Sequence, residues 1–170
     1  IFIDLFESEI LNNKNLSASL NLKVKDITNI NELNNLNLKI SIEEGDINFT
    51  DSFIMWKDDL KVKLNDCQLA LNDEGINLLG TIEFEFEDIN DFYSSFQTKK
   101  VNRKNIEIIE VNFVYNFNSK SFRFDNPRIN NSQNEEVEKL LDNFNLRDDR
   151  TFNKITFKNF INSFFEVYDG

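Results

Sequence analysis

The residue types able to do chemistry are few and awkwardly spaced. The 170-residue chain has no His and one Cys. Without His there is no Ser–His or Cys–His nucleophile pair and no imidazole ligand for a metal. One Cys closes no disulfide within the chain. Cys67, set in "NDCQLAL", reads as a small buried residue rather than a reactive thiol. The remaining candidates are acids. Glu43–Glu44 and Asp58–Asp59 are adjacent pairs, whereas a glycosidase needs two carboxylates flanking one bond at a set separation. Neighbours on a strand point to opposite faces, so neither pair meets that need by itself. "NDEGIN" has the letters of a calcium loop but not its spaced acids and distal Glu, and reads as a turn. There is no phosphate-cradling glycine loop, no G-x-S-x-G and no C-x-x-C. The expectation is a chain that is not an enzyme, with no catalytic residues, no metal site and no cofactor.

Charge narrows the partners. With 30 acidic and 19 basic residues the net charge is −11, which repels nucleic acid and anionic surfaces over the whole molecule. Lys99, Lys100, Arg103 and Lys104 form one small basic patch, read as a solvated turn. No apolar run approaches the roughly 20 residues that span a bilayer. The chain opens on "IFIDLF", with neither an initiator Met nor a signal-peptide pattern, and reads as a piece of a longer protein. Asn makes up roughly one residue in six, a bias that a low-GC genome would produce and that alone does not mark a prion-like segment. Eighteen Phe and 40% hydrophobic residues are ample for packing.

The elements that would position anything are mostly strands. "LSASLNLKVKD" alternates, with Leu16, Ala18, Leu20, Leu22 and Val24 on one face. Leu36, Leu38, Ile40 and Ile42 repeat the pattern; "EEGD" turns the chain at Gly45, and Ile47 and Phe49 begin the return. Leu60, Val62 and Leu64, then Leu69 and Leu71, lead into "NDEG" (Asn72–Gly75), a strong hairpin signal. Ile76, Leu78, Gly80, Ile82, Phe84 and Phe86 hold one phase in a strand approaching 40 Å at about 3.3 Å per residue. Glu83, Glu85 and Glu87 read as its wet face. "DINDFYSSFQ" is a short helix near 89–97 capped by Asp88 or Asn90. Ile106 and Ile108 share one parity, and Ile109, Val111, Phe113, Tyr115 and Phe117 the other, which predicts a bulge in that strand. Pro127 is expected to end the sheet. Two amphipathic helices follow, with stripes Val137, Leu140, Leu141, Phe144 and Phe157, Phe160, Ile161, Phe164, Phe165, Tyr168; Gly170 is the expected stop.

The fold expected is mainly β with C-terminal helices (α+β): an antiparallel meander over 1–131 and a helical segment over 132–170 that packs on or caps it. No βαβ alternation occurs, so a parallel sheet is not expected. The long apolar strand faces fit two readings, a closed core or the floor of an open furrow. The candidate floor is Leu38, Ile40, Val62, Leu64, Leu69, Leu71, Leu78, Ile82, Phe84 and Phe86.

The run Gly75–Ile129 resembles the C-terminal region of AsmA-like envelope proteins. The resemblance is carried by an "L-x-G" strand and a "D-x-x-D-F-Y-x-x-F-Q" helix (Asp88, Asp91, Phe92, Tyr93, Phe96, Gln97). A basic turn (Lys100, Arg103, Lys104) and a strand pair ending in "N-P-x-I" (Asn126, Pro127, Ile129) complete it. "FKNFINSFFEVYDG" is similar too, while Leu16 to Leu71 agrees only in character, with "L-x-D-C-x-L-x-L" as its best word. The resemblance implies a bridge-like lipid carrier. In such proteins an N-terminal helix, not contained in this chain, anchors a β-groove in the inner membrane of a Gram-negative-type bacterium. Phospholipid or another acyl lipid slides through the periplasm along that groove. The competing expectation is a structural envelope module with a closed core and protein partners.

Overall fold

The computed structural model describes residues 13–28, 32–73, 75–145 and 154–169. The expected stop at Gly170 lies outside them. Among these residues nine strands form one antiparallel sheet: β1 (Ala18–Asp26), β2 (Leu33–Glu43), β3 (Asp46–Phe49), β4 (Ser52–Trp56), β5 (Leu60–Asn72), β6 (Gly75–Phe86), β7 (Ile108–Asn116), β8 (Ser121–Ile129) and β9 (Ser132–Gln133). Each long strand lies beside its sequence neighbour, as a meander requires; β3 and β4 share one lane between β2 and β5. Among the described residues the sheet is open, since β1 pairs only with β2 and β9 only with β8. Three helices are described: α1 (Ile89–Phe96), α2 (Glu135–Asn145) and α3 (Lys154–Val167). None is long and apolar enough to cross a membrane.

Turn chemistry explains the register. Glu44 (φ 53°) and Gly45 (φ 93°) both take the left-handed region, as a two-residue turn matched to strand twist demands. Asn130 (φ 49°) and Asn131 (φ 65°) do the same between β8 and β9. The β5–β6 hairpin closes with Asn72 opposite Gly75, and its register puts Leu71 against Ile76, Leu69 against Leu78, Leu64 against Ile82 and Val62 against Phe84.

The apolar phase survives because bulges occur in step. The β5–β6 register shifts between Asn65 and Gln68, where Asp66 has φ 50°. One extra residue flips side-chain parity, which is why even-numbered Leu60, Val62 and Leu64 share a face with odd-numbered Leu69 and Leu71. Beside it, Asp51 (φ 56°) interrupts β3 and β4 at the same level. That break leaves Lys39, paired with Asn21 of β1, without a partner on the β3–β4 side, and Ser52 fills the gap: its Oγ accepts from Lys39 N at 2.9 Å and donates to Lys39 O at 3.1 Å. On the next strand Gly80 completes the row. A Cβ there would come within 2.4 Å of Cys67 Sγ and 2.7 Å of Cys67 Cα, so the bulged residue occupies the space that a side chain would need.

Two expectations need correction. The β6–β7 register runs without a break from Glu85/Ile108 to Asn77/Asn116, so β7 has no bulge at Ile108–Ile109. The parity change arises because the strand begins at Ile108; Ile106 precedes it and is buried (2% exposed) from irregular chain. The bulge lies instead on β8, opposite Val111, where Asn126 has φ 51°. Pro127 does not end the sheet: it sits at that bulge and β8 continues to Ile129. A bulge spares the ladder bond that proline cannot donate.

The helices cover one half of the apolar face. Leu60, Phe86 and Ile129 pack there with Ile89, Phe92 and Tyr93 of α1, Val137 of α2, and Phe164, Phe165 and Tyr168 of the α3 region. Asp88 caps α1 by accepting from Asn90 N at 2.9 Å, and Asn134 caps α2 by accepting from the amides of Glu136 and Val137, each at 3.1 Å. The acids of the first α2 turn (Glu135, Glu136, Glu138) favour the same end through the helix dipole. The C-terminus of α1 is held by α3, where Asn162 Nδ2 donates to Phe96 O at 3.0 Å and Lys158 Nζ to Gln97 Oε1.

Candidate functional site

The register brings all ten candidate floor residues to one face. Leu22 pairs with Leu38 and Leu20 with Ile40; Ile42 pairs with Ile47, which pairs with Leu69. Leu69 in turn meets Leu78, Leu64 meets Ile82, and Val62 meets Phe84. Pairing Leu78 to Tyr115 and Tyr115 to Phe122 extends the face to the far edge.

That face is divided. Phe86 (8% exposed) is core beneath the helices, and Val62 and Phe84 pack against the same cluster. These three are therefore helix–sheet contacts and not an open floor. Sequence periodicity cannot separate the two roles, because both need an apolar strand face. On the other half, Ile47, Leu69 and Ile76 form a small cluster flanked by partly exposed Ile40, Ile42, Phe49, Leu78 and Phe117. Leu71, Leu20 and Leu22 remain 55%, 56% and 44% exposed. Leu38, Leu64 and Ile82 are half-buried. Strand β1, absent from the expected floor, is thus its most open margin.

Rings line the opposite margin. Tyr115 lies 4.9 Å from Phe117 and 4.5 Å from Phe122, Phe122 stacks on Phe124 at 5.7 Å, and Phe124 reaches Phe144 of α2 at 6.0 Å. This aromatic ladder joins the open half to the helix layer along β8. Asn145 seals β8 there: its amide accepts from Phe124 N at 3.0 Å and donates to Phe124 O. The side chain thereby takes the place of another strand.

The residues of the family-like motif make a structural knot. Tyr93, 1% exposed, donates its hydroxyl to Lys104 O at 2.7 Å and accepts from Lys104 N at 2.9 Å. Its ring meets Phe165 at 4.8 Å, and the Arg103 guanidinium lies 5.7 Å above it. Arg103 Nε also donates to Thr98 O at 3.1 Å and Lys104 Nζ to Asp169 O at 2.8 Å. Phe92 and Phe96 lie 4.5 Å apart with their rings tilted by 38° and meet Trp56 of β4 at 5.3 and 6.1 Å. Asp91 and Lys100 are exposed, and Asn126 Oδ1 accepts from Gln133 Nε2 at 3.0 Å. Half of the expected basic patch is therefore spent on tying the turn after α1 to the core.

The polar face is less wet than expected. Lys63 Nζ lies 2.7 Å from Glu83 Oε1 and 2.9 Å from Glu85 Oε2, and Asn65 Nδ2 donates to Glu83 Oε2 at 2.9 Å. The Glu83 side chain is only 13% exposed. Hydrogen bonds from Lys63 hold the Glu85 carboxyl below its ordinary range, and those two glutamates push the Lys63 ammonium up. Further along, Asn116 Nδ2 donates to Asn77 Oδ1 at 3.0 Å, and Asn77 Nδ2 to Asn72 Oδ1 at 3.0 Å. This chain of amides floors a cavity of about 570 Å³, lined also by Asp73, Leu79, Val114, Ser121, Arg123 and Asn145.

The titratable candidates sit at separate places in the fold. Cys67 is 1% exposed, and burial pushes its thiol up to about 11, far from the thiolate a nucleophile requires. Its Sγ donates to Asn65 O at 3.3 Å. Glu43 and Glu44 are exposed at the β2–β3 turn. Desolvation, then the carboxylates of Asp91, Asp88 and Asp58, hold Asp59 above its ordinary range. The sequence separated these acids; the fold gathers them where β5 begins and α1 is capped. Among the described residues no three His, Cys, Asp or Glu side chains are placed to hold a metal ion. Comparisons with family models, curated proteins and solved structures find no match.

Proposed function

We propose that this chain is a non-catalytic lipid-transfer segment that carries acyl chains on the uncovered half of its apolar sheet face. In this reading it belongs to an AsmA-like, inner-membrane-anchored protein and works on the periplasmic side, with phospholipid or a similar acyl lipid as its cargo. The observation that carries the proposal is the open, unbroken apolar surface from Leu20 and Leu22 through Leu38, Ile40, Phe49, Leu64, Leu71 and Leu78 to Tyr115 and Phe122. Two acyl tails hold about 30 methylenes, each worth about 0.8 kcal/mol on leaving water, so uncovered passage costs on the order of 20 kcal/mol. A surface that shields tails lowers that barrier without bond chemistry. The bulge row at Asp51, Asp66 and Gly80 supports the same reading, since bulges and glycine kinks add local twist and bend a sheet.

The helix layer over Phe84 and Phe86 favours a second reading, a closed-core envelope module with protein partners. One experiment separates them. Ile40→Asp puts a carboxylate on the open half and Ser41→Asp puts one on the polar face. Native mass spectrometry after gentle purification is expected to find phospholipid on the wild type and on Ser41→Asp, and to find it lost from Ile40→Asp while that variant stays folded at a lowered melting temperature. Equal lipid on all three, or none on the wild type, would sink the carrier reading. Unfolding of Ile40→Asp would favour the closed module.

A further inference from the structure

We infer that the cavity on the polar face of β6–β8 is a headgroup site for a zwitterionic phosphate ester, with Arg123 taking the phosphate and Asp73 the ammonium. The inference rests on the carrier reading above. Its floor is built, not incidental: Asn77 and Asn116 are 3% and 8% exposed. Their amides are fixed by the bond between them, by Asn77 donating to Gly75 O at 3.0 Å, and by Ser119 N donating to Asn116 Oδ1 at 2.7 Å. A floor whose amides are already oriented pays no reorganisation when a polar ligand settles on it.

Among the described residues, the charged side chains that line this space are Asp73 and Arg123. Asp73 stands on the β5–β6 turn and Arg123 on β8. Arg123 lies opposite Val114 and, among the described residues, has no ion-pair or hydrogen-bond partner. An unpaired guanidinium presents a planar fork matched to phosphate oxygens. Among the described residues, one cation and one anion across a cavity of about 570 Å³ fit a ligand with both charges, in a volume range ordinary for small-molecule sites. A purely anionic ligand would meet Asp73, and a purely cationic one Arg123.

Position links the cavity to the apolar face. Arg123 sits between Phe122 and Phe124, whose rings belong to the aromatic ladder; among the described residues β8 is the last strand at that level, with Asn145 covering Phe124 and Phe122 lying beyond that cover. One lipid can therefore lie with its tails on Tyr115 and Phe122 and turn its head over β8 at Ser121 and Phe122, clear of Asn145. Arg123 is exposed and lines the cavity from that strand.

The test loads the purified chain with dioleoyl phosphatidylethanolamine, dioleoyl phosphatidylglycerol or dioleoylglycerol and reads retention by native mass spectrometry. The wild type is expected to keep the ethanolamine lipid about tenfold better than dioleoylglycerol, the size of one charge-assisted hydrogen bond. Arg123→Gln should erase that preference while still binding dioleoylglycerol, and Arg123→Lys should keep part of it. Asp73→Asn should abolish the preference for ethanolamine over glycerol headgroups. Equal retention of all three lipids by the wild type overturns the headgroup site and leaves the carrier reading standing. Retention of none overturns both. Binding of glycerophosphoethanolamine with no lipid retained also overturns the inference, since the cavity would then serve a soluble ester.

Discussion

Removing the hydroxyl of Tyr93 tests whether the knot around α1 holds the helix layer to the sheet. Tyr93 is 1% exposed, and its hydroxyl serves both backbone groups of Lys104, accepting at 2.9 Å and donating at 2.7 Å. Tyr93→Phe keeps the ring packing on Phe165 and orphans a donor and an acceptor in half-buried chain. At about 1 kcal/mol net per hydrogen bond the loss is about 2 kcal/mol. For a domain of this size that lowers the melting temperature by about 4–8 °C. Urea titration should show a lower midpoint with an unchanged slope, because the surface exposed on unfolding is the same. The pH dependence supplies an internal check. Burial raises the folded pKa of Tyr93 above its ordinary value near 10. A raised acid binds its proton more tightly when folded, so its contribution is complete below the unfolded pKa and is lost as pH rises through the folded one. The gap between wild type and Tyr93→Phe should therefore be flat from pH 6 to about 9 and narrow above pH 10. A loss under about 0.5 kcal/mol at pH 7 would refute the reasoning, and so would a gap that widened at high pH.

Two further outcomes follow from the sheet. Gly80→Ala should cost about 1–3 kcal/mol by overpacking, and Cys67→Ala should not rescue it, because the added Cβ still meets Cys67 Cα at 2.7 Å; paired melting curves of the single and double variants decide. On the polar face, Lys63→Met should destabilise more than Glu85→Gln, because it strands Glu83, whose side chain is 13% exposed, whereas Glu85 is 49% exposed. The Lys63–Glu85 contribution should fade as pH falls through the carboxylate range, since the folded Glu85 pKa is depressed; urea midpoints of wild type and Glu85→Gln at pH 7 and pH 4 measure it.

The meander was legible because its signals are local. Alternation gave each long strand, "EEGD" and "NDEG" gave two turns, and the stripes Val137–Leu141 and Phe164–Phe165 gave helices with the expected buried sides. What covers an apolar strand face is a tertiary fact, and it was not legible. Phe84 and Leu78 have the same phase on one strand, yet Phe84 meets the helix cluster and Leu78 borders the open half. The cavity was hidden for a related reason: Asp73 and Arg123 come from a turn and a strand fifty residues apart, and only the register of β6, β7 and β8 brings them to one face.

The bulges were missed because their residues were read as composition. The chain has four Gly, and ten described non-glycine residues have positive φ; six of these are Asn or Asp, at Asn35, Asp51, Asp66, Asn126, Asn130 and Asn131. Short polar side chains enter the left-handed region at lower cost than others because they bond to nearby backbone. A genome that supplies Asn in excess therefore also supplies sites where a glycine-poor sheet can kink. Asn35, Asp51, Asp66 and Asn126 each mark a register break or an interrupted strand, and Leu64 and Leu69 share a face only because Asp66 lies between them. The same amide chemistry that permits a kink also seals what kinks and edges expose: Asn145 caps Phe124, and Asn130 Oδ1 accepts from the amides of Glu107 and Ile108 where β7 begins. In this chain the Asn bias is a structural resource, and the position of each Asn relative to the strand phase carries the information that its abundance conceals.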